Sequence, residues 1–120
     1  MASYVEVYVV PVPNSNISEY RKSAELFGKV WREHGALSFL EVEADDAPPG
    51  KVTSFPQSVD LKPDETVFVG IATYSSRAHR DEVNAKAMKD SRLGNMVARM
   101  SGRACAPNCS ATRLARAKLR

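Results

Sequence analysis

The chain has 120 residues, 43% of them hydrophobic, and a formal net charge of +3. This length and composition are typical of one soluble globular domain with a modest core. No apolar run of about 18 residues is present, so a transmembrane helix is not expected. The opening residues, MASYVEVYVV, have no basic segment before the apolar one, which predicts a cytoplasmic protein without a secretory signal.

The positive charge is concentrated at the end of the chain. Residues 1–100 contain 12 Lys/Arg and 14 Asp/Glu, whereas residues 101–120 contain five Lys/Arg and no acid. We therefore interpret residues 1–100 as a single domain and residues 101–120 as an atypical basic tail. Such a tail can attract nucleic acid without sequence specificity. A solvated, frayed terminus is the favoured explanation of this charge.

The tail also contains both cysteines, Cys105 and Cys109, with Pro107 between them. Proline argues against a helix there, and a reducing cytoplasm argues against a disulfide. A structural zinc usually has four ligands. The chain has two Cys and two His, and His34 and His79 are far apart in sequence, so a structural zinc is possible but disfavoured. Neither a metal nor a cofactor is predicted.

The first predicted element is a strand over residues 3–12. Its valines alternate with Tyr4, Glu6 and Tyr8, and this period of two with β-branched residues is typical of a strand. Pro11 and the next proline end the strand, since proline cannot donate a backbone hydrogen bond.

A helix is predicted over residues 17–34. Asn16 and Glu19 have the spacing of a capping box, and Gly35 provides a C-terminal stop. Apolar residues recur at spacings of three and four, which predicts one buried helix face. The members of this stripe are Ile17, Tyr20, Ala24, Phe27 and Trp31.

Two further strands and a second helix follow. The strands are predicted over residues 36–44 and 66–74, each with alternating apolar positions. Ser75 or Ser76 is expected to cap the helix over residues 77–89. Its weakly defined apolar face comprises Ala78, Val83, Ala85, Ala87 and Met88, and another helical turn or two is expected over residues 91–100.

The connection between these two strands, which begins EADDAPPGKVTSFP, is long for a compact domain and is expected to carry local structure. We predict a turn at residues 48–50, a short strand over 51–54 and a short helix over 55–60. Asp45 and Asp46 could bind a hard cation, but carboxylates beside Pro and Gly more often make turn hydrogen bonds. The connection is expected to pack over the sheet or over a partner chain.

These elements predict an α+β fold with the order βαββα. A final strand would complete the ferredoxin-like order βαββαβ. Gly, Pro and Asn interrupt residues 101–110, and SATRLARAKLR from Ser110 onward is better interpreted as a short basic helix. The last strand is therefore doubtful in the predicted βαββα(β) unit, in which the two main helices cover one face of an antiparallel sheet.

Several segments together resemble the YbaA-like family of bacterial proteins of unknown function, over about residues 3–94. The matching segments are SYVEVYVVPVP, Tyr20-Arg21-Lys22, REHGAL, DDAPPGKVTSFPQSV, KPDETVFV and SRAHRDEVNAKAMKDSRL. The resemblance implies a dimeric α+β barrel, in which the sheet of one ferredoxin-like unit packs against that of a second chain. It implies no established activity. After about Met96 the sequence departs from the family, which usually ends in a Gly-rich strand. An altered reading frame and a genuine tail replacement would both explain this.

No common phosphate, zinc, nucleophile or RNA-recognition signature is present. Two principal hypotheses remain: a protein that binds or transforms a small organic molecule between helix and sheet, or a non-enzymatic dimeric interaction module. Nucleic-acid binding through the tail is a weaker alternative. Whether the chain is an enzyme stays open. Candidate ligand-binding residues are Tyr8, Trp31, Phe39 and Phe68, with the core as the alternative place for Trp31, and weak catalytic candidates are His79 and Arg80.

Overall fold

A computed structural model describes residues 4–94 and the backbone of residues 115–119. The boundaries of the elements lie within one or two residues of those predicted, with the exceptions given below. The elements are β1 (Tyr4–Pro13), a 3₁₀ turn (Asn14–Asn16), α1 (Ile17–Glu33), β2 (Ser38–Glu43), α2 (Phe55–Ser58), β3 (Glu65–Tyr74), α3 (Arg77–Met88) and β4 (Ala115–Leu119).

The four strands form one antiparallel sheet in the order β2-β3-β1-β4. The predicted α+β class with an antiparallel sheet is confirmed. The strand order is consistent with a ferredoxin-like unit. Within the described residues, no helix has the length and apolar character needed to cross a membrane.

The prediction of a basic helix from Ser110 onward is wrong for Ala115–Leu119, which pairs with β1 as an edge strand. Alanine, arginine and lysine favour helices locally. However, the free edge of β1 presents unpaired backbone groups, and pairing with β4 satisfies them. The strand doubted from the sequence is therefore present in the sheet. Cys105, Cys109 and the turns predicted after residue 94 lie outside the described residues.

The two faces of the sheet have different surroundings. On the helix-covered face, the register places Glu6 opposite Ala72 and Tyr8 opposite Gly70. The core on this side brings together both main helices and the central strands, with Trp31 and Tyr74 as its largest members. The other face, here called the open face, carries the alternate apolar residues: Val5, Val7, Val9, Leu40, Val42, Val69 and Ile71.

The ends of the two main helices follow local rules. Gly35 has a φ of 115° and follows the last turn of α1, where Ala36 N–H donates to the Trp31 carbonyl at 2.9 Å. The Ser76 hydroxyl caps α3 and accepts from His79 N–H at 3.0 Å, as predicted. The predicted capping box at Asn16 is wrong, because its side chain makes no capping hydrogen bond.

The face that α3 buries differs from the predicted one. Val83 and Ala87 are buried with Arg80, whereas Ala85 and Met88 are exposed, as is Ala78. A helix with few large apolar residues does not determine its own orientation. The buried ion pair of Arg80, described below, lies on the face that turns toward the sheet.

The β2–β3 connection has local structure, but not all of the structure predicted. The short helix is present as α2, with Ser54 as its cap. Residues 51–54 do not form a strand, and bends lie at 45–46 and 51–52 instead of at 48–50. The Gly50 N–H donates to Gln57 Oε1 at 3.0 Å and so closes the connection on itself.

Candidate functional site

A buried ion pair joins β1 to α3 beneath the helix layer. Glu6 is 0% and Arg80 3% exposed, and the Arg80 guanidinium donates through Nη1 to Glu6 Oε1. Arg80 Nε also donates to Asp81 Oδ1 at 2.6 Å, and the guanidinium lies 5.1 Å from the centre of the Tyr4 ring. Burial opposes the charge on Arg80, but the hydrogen bonds to Glu6 and Asp81 raise its pKa. Both charges are therefore held as a pair inside the protein.

Neutral polar groups extend this pair into a network. Tyr8 OH donates to Glu6 Oε2 at 2.6 Å, and Asn84 Nδ2 lies 3.5 Å from the same oxygen. Asn84 Oδ1 accepts from Trp31 Nε1 at 2.9 Å and from Tyr74 OH at 3.3 Å. Among the described residues, no buried side-chain nitrogen or oxygen lacks a partner. The network therefore links the sheet to both helices with its buried polar groups hydrogen-bonded.

A second carboxyl group lies on the same face, at the β2 edge. Glu41 Oε1 accepts a hydrogen bond from Tyr20 OH of α1. Burial raises the pKa of the Glu41 carboxyl, and the Tyr20 bond lowers it by a smaller amount. Burial, with the adjacent Glu41 charge, holds the pKa of Tyr20 far above its usual value. Tyr20 therefore stays protonated and acts as a donor, while Glu41 takes up a proton at a higher pH than an exposed glutamate does.

Glu41 opens into a groove of about 370 Å³ between α1 and the β2 edge, here called the α1–β2 groove. Its walls combine aromatic rings with charged groups at the rim. The lining residues are Arg21, Ala24, Glu25, Gly28, Arg32, Phe39, Leu40, Glu41, Glu43 and Phe68. The volume is within the range of small-molecule sites, roughly 300–1,000 Å³.

Two of the charged groups at the rim already have partners. Arg21 Nη2 lies 2.6 Å from Glu43 Oε2, and Arg32 Nη1 donates to the Phe39 carbonyl at 3.2 Å. Both arginines are exposed. They therefore frame the groove without filling it.

Two glycines determine the shape of this region. A Cβ at Gly28 would lie 3.4 Å from Phe39 Cδ1 and 2.9 Å from Arg32 Nη1, so glycine lets α1 lie close to β2. A Cβ at Gly70 would lie 3.6 Å from Tyr8 Cδ2 and 3.8 Å from Glu41 Cδ. Tyr8 and Glu41 therefore flank Gly70, and the buried network ends next to the groove.

The four candidate ligand-binding residues fall into two groups. Phe39 and Phe68 line the α1–β2 groove. Tyr8 belongs to the Glu6 network, and Trp31 is a core residue that donates to Asn84. The rings are nevertheless connected, because Trp31 and Phe39 lie 6.1 Å apart between centroids.

The two weak catalytic candidates lie at the start of α3. Arg80 is engaged by Glu6 as described. His79 Nδ1 accepts from Ser75 N–H at 3.0 Å, and its ring packs edge-on against Tyr74 with centroids 6.0 Å apart. Neither residue lines the groove. These contacts give His79 a role in holding the N-terminus of α3.

The other polar candidates do not line the groove either. His34 Nε2 lies 2.8 Å from Asp90 Oδ2. The pKa of Asp90 is lowered first by Arg92 and then by His34. Asp45 and Asp46 are exposed at a bend. In the part of the chain that the structure describes, no group of three or more His, Cys, Asp or Glu is placed to hold a metal ion.

Sequence reasoning did not identify Glu6 and Glu41 as a related pair. Both signals were present, because each glutamate alternates with aromatic residues on what becomes the buried face: Glu6 with Tyr4 and Tyr8, Glu41 with Phe39. A charged residue at an inward strand position is rare unless it is paired or functional. Asn84 gave no such signal, since its position depends on how α3 docks.

Comparison with known proteins identifies relatives but no activity. Residues 3–102 match a family described as "Protein of unknown function (DUF1428)". The chain is 38% identical over 90 residues to "Uncharacterized protein YbaA" of Escherichia coli K12, which covers 75% of this chain and 77% of the relative. The protein of the same name from Shigella flexneri matches to the same extent.

Proposed function

The chain belongs to the DUF1428 family of proteins of unknown function, and we propose that it binds a small organic molecule in the α1–β2 groove. The observation that carries this proposal is the combination of volume and lining. A groove of about 370 Å³ joins apolar walls to a half-buried carboxyl group. Small-molecule sites combine such walls with a few polar groups that orient the ligand.

The geometry favours this groove over the other polar cluster. The Glu6 network is occupied by its own hydrogen bonds, and its central carboxylate is fully buried. In the groove, by contrast, the Phe39 ring and the Glu41 carboxyl belong to an edge strand and can be reached from outside. A ligand there would displace water and not protein contacts.

Titration with benzyl alcohol, followed in two-dimensional ¹H–¹⁵N NMR spectra, tests the proposal. We expect the amides of Gly28, Phe39 and Phe68 to shift together, with weak millimolar affinity. Ala24→Leu fills the groove and should abolish the shifts. Ala85→Leu, the same change at an exposed position of α3, should preserve them. Equal shifts in Ala24→Leu, or no shifts in the wild type, would contradict groove binding.

A second proposal concerns the open face of the sheet, which we infer to pack against a second copy of this chain. Leu40 and Val42 are 54% and 44% exposed there. A sheet covered by helices on one face gains stability when its other apolar face is also covered. This face consists largely of aliphatic side chains, so an identical face is a complementary partner. The α+β barrel implied by the family resemblance has this arrangement.

Sedimentation equilibrium tests the dimer. Val42→Lys introduces a charge on the open face and should give a monomer. Met88→Lys introduces the same charge at a residue of α3 that is 45% exposed, and it should leave a dimer. A monomeric wild type at micromolar concentrations, or a dimeric Val42→Lys, would refute this interface.

A further inference from the structure

Glu6 and Glu41 differ in what balances their charge. Glu6 faces the Arg80 guanidinium. Within residues 4–94, Glu41 makes no ion pair, and its one hydrogen-bond donor is Tyr20 OH. Its second oxygen, Oε2, accepts no hydrogen bond from this part of the chain. Buried charges in proteins are normally paired, since an unpaired one pays its desolvation cost uncompensated.

The charges around the α1–β2 groove lack one cation. Its described lining contains two guanidinium groups, Arg21 and Arg32, and three carboxyl groups, Glu25, Glu41 and Glu43. Arg21 is paired with Glu43, while Glu25 and Arg32 are exposed and of opposite charge. When Glu41 is ionised, the excess negative charge therefore belongs to it.

The apolar surface beside Glu41 is aromatic. Phe39 and Phe68 line the groove, and the Phe68 ring lies 4.6 Å from that of Tyr20 between centroids. Aromatic rings accept both an apolar body and, through their faces, a positive charge. The missing cation would thus lie beside aromatic surface.

We propose that Glu41 is the recognition residue for a primary amine, whose ammonium group pairs with the carboxylate while its aromatic or aliphatic body lies against Phe39 and Phe68. This assignment rests on the proposed function and names its ligand class. Tyr20 holds one carboxylate oxygen in place and leaves the other to accept from the ammonium group. Across Gly70, Tyr8 bounds the same region from β1.

The pairing couples amine binding to protonation. Ammonium binds the ionised carboxylate, so affinity should decrease as the pH falls through the pKa of Glu41. The charged groups that line the groove with Glu41 are Arg21, Glu25 and Arg32 on α1 and Glu43 on β2. Tyr20 stays protonated throughout and adds no second transition.

The test compares benzylamine with benzyl alcohol, which have nearly the same body but differ in charge. We expect benzylamine to bind the wild type about tenfold more tightly, which corresponds to about 1.4 kcal/mol, because its ammonium group gains a charge-assisted hydrogen bond to the carboxylate. Glu41→Gln keeps the shape and an acceptor for Tyr20 but should abolish this preference. Glu19→Gln, a change of the same kind at an exposed residue of α1 that does not line the groove, should preserve it.

The results separate this proposal from the one on which it rests. If benzyl alcohol shifts the groove amides but benzylamine binds no better, groove binding stands and amine recognition is wrong. An unchanged preference in Glu41→Gln, or tighter binding of benzoate than of benzylamine, also overturns it. If none of the three compounds shifts the groove amides, both proposals fail. Spectral dispersion of the Glu41→Gln protein confirms that it is folded.

Discussion

Two carboxyl groups on one face of the same sheet have opposite surroundings. Glu6, in the centre of the sheet, is fully enclosed and held by Arg80 and Tyr8. Glu41, near the edge, is half-buried and held by Tyr20 alone among the described residues. Position in the sheet accounts for the difference. The charge of a central residue has to be balanced by the protein's own groups, whereas the charge of an edge residue can also be balanced by a group from outside.

The largest expected effect comes from removing the protein's own counter-charge to Glu6. Arg80→Met should lower the free energy of unfolding by about 3–5 kcal/mol, because it leaves a carboxylate buried without a guanidinium partner. Urea unfolding near neutral pH measures this. Arg77→Met, at the exposed first residue of α3, is the matched control and should change little. A loss below about 1 kcal/mol would show that Glu6, like Glu41, does not depend on a counter-charge from the protein.

The neutral part of the network should have a smaller effect. Trp31→Phe removes the donor to Asn84 Oδ1 and should lower the free energy of unfolding by about 1–3 kcal/mol. Asn84→Ala removes the other partner. If the hydrogen bond matters, the double variant should lose less than the sum of the single losses. Additive losses would show that Trp31 acts through packing alone.

On the Glu41 side, replacement should affect stability in the opposite direction. The folded state raises the pKa of Glu41 above its ordinary value of 4.5, so the unfolded chain binds fewer protons and stability falls as the pH rises through this window. Glu41→Gln does not titrate there. It should therefore gain stability relative to the wild type above the folded pKa and match it below pH 4.5. Thermal unfolding at about pH 4 and about pH 8 measures the difference.

Glu43→Gln is the control for this pH dependence, because that carboxylate is exposed and paired with Arg21. The same gain in both variants would mean that general surface charge is responsible, and the contrast between Glu6 and Glu41 would lose its basis.

The smallest expected effect concerns the Tyr20 hydrogen bond. Tyr20→Phe removes the donor that stabilises the ionised carboxylate, so the pKa of Glu41 should increase further. A ¹³C NMR titration of the Glu41 side-chain carboxyl measures this shift. A decrease in the pKa of Glu41 would mean that water entering beside the phenylalanine stabilises the ionised carboxylate more than the Tyr20 hydrogen bond does.

The central part of the fold could be predicted because its information is local. The alternation in β1 and β3 separates Val7 and Ile71 from Glu6 and Ala72, and the structure keeps that separation. Gly35 ends α1 where a positive φ is needed. Alternation along each strand also places Glu6 with Tyr8 and Glu41 with Phe39, but bringing the two glutamates onto one face depends on how β1 and β2 pair with β3.

The rest depends on how separate elements dock. Arg80 resembles any charged residue at a helix start until α3 turns it toward Glu6 across 74 positions of sequence. In the sequence, Gly28 indicates only a residue of low helix propensity. Its role in the close approach of α1 to β2 follows only from the position of Phe39. The strand Ala115–Leu119 consists mainly of helix formers, and its pairing comes from β1, not from its own residues.

That last pairing has a consequence for the order of events during synthesis. The ladder joins Val5 to Leu119, so β1 acquires one of its two neighbours only after the distant segment Ala115–Leu119 has been made. Until then, β1 can pair with β3 but presents a bare edge to other nascent chains. Contacts this distant in sequence slow folding. The β1–β4 ladder is therefore expected to be the last part of the sheet to form, after β1 has paired with β3.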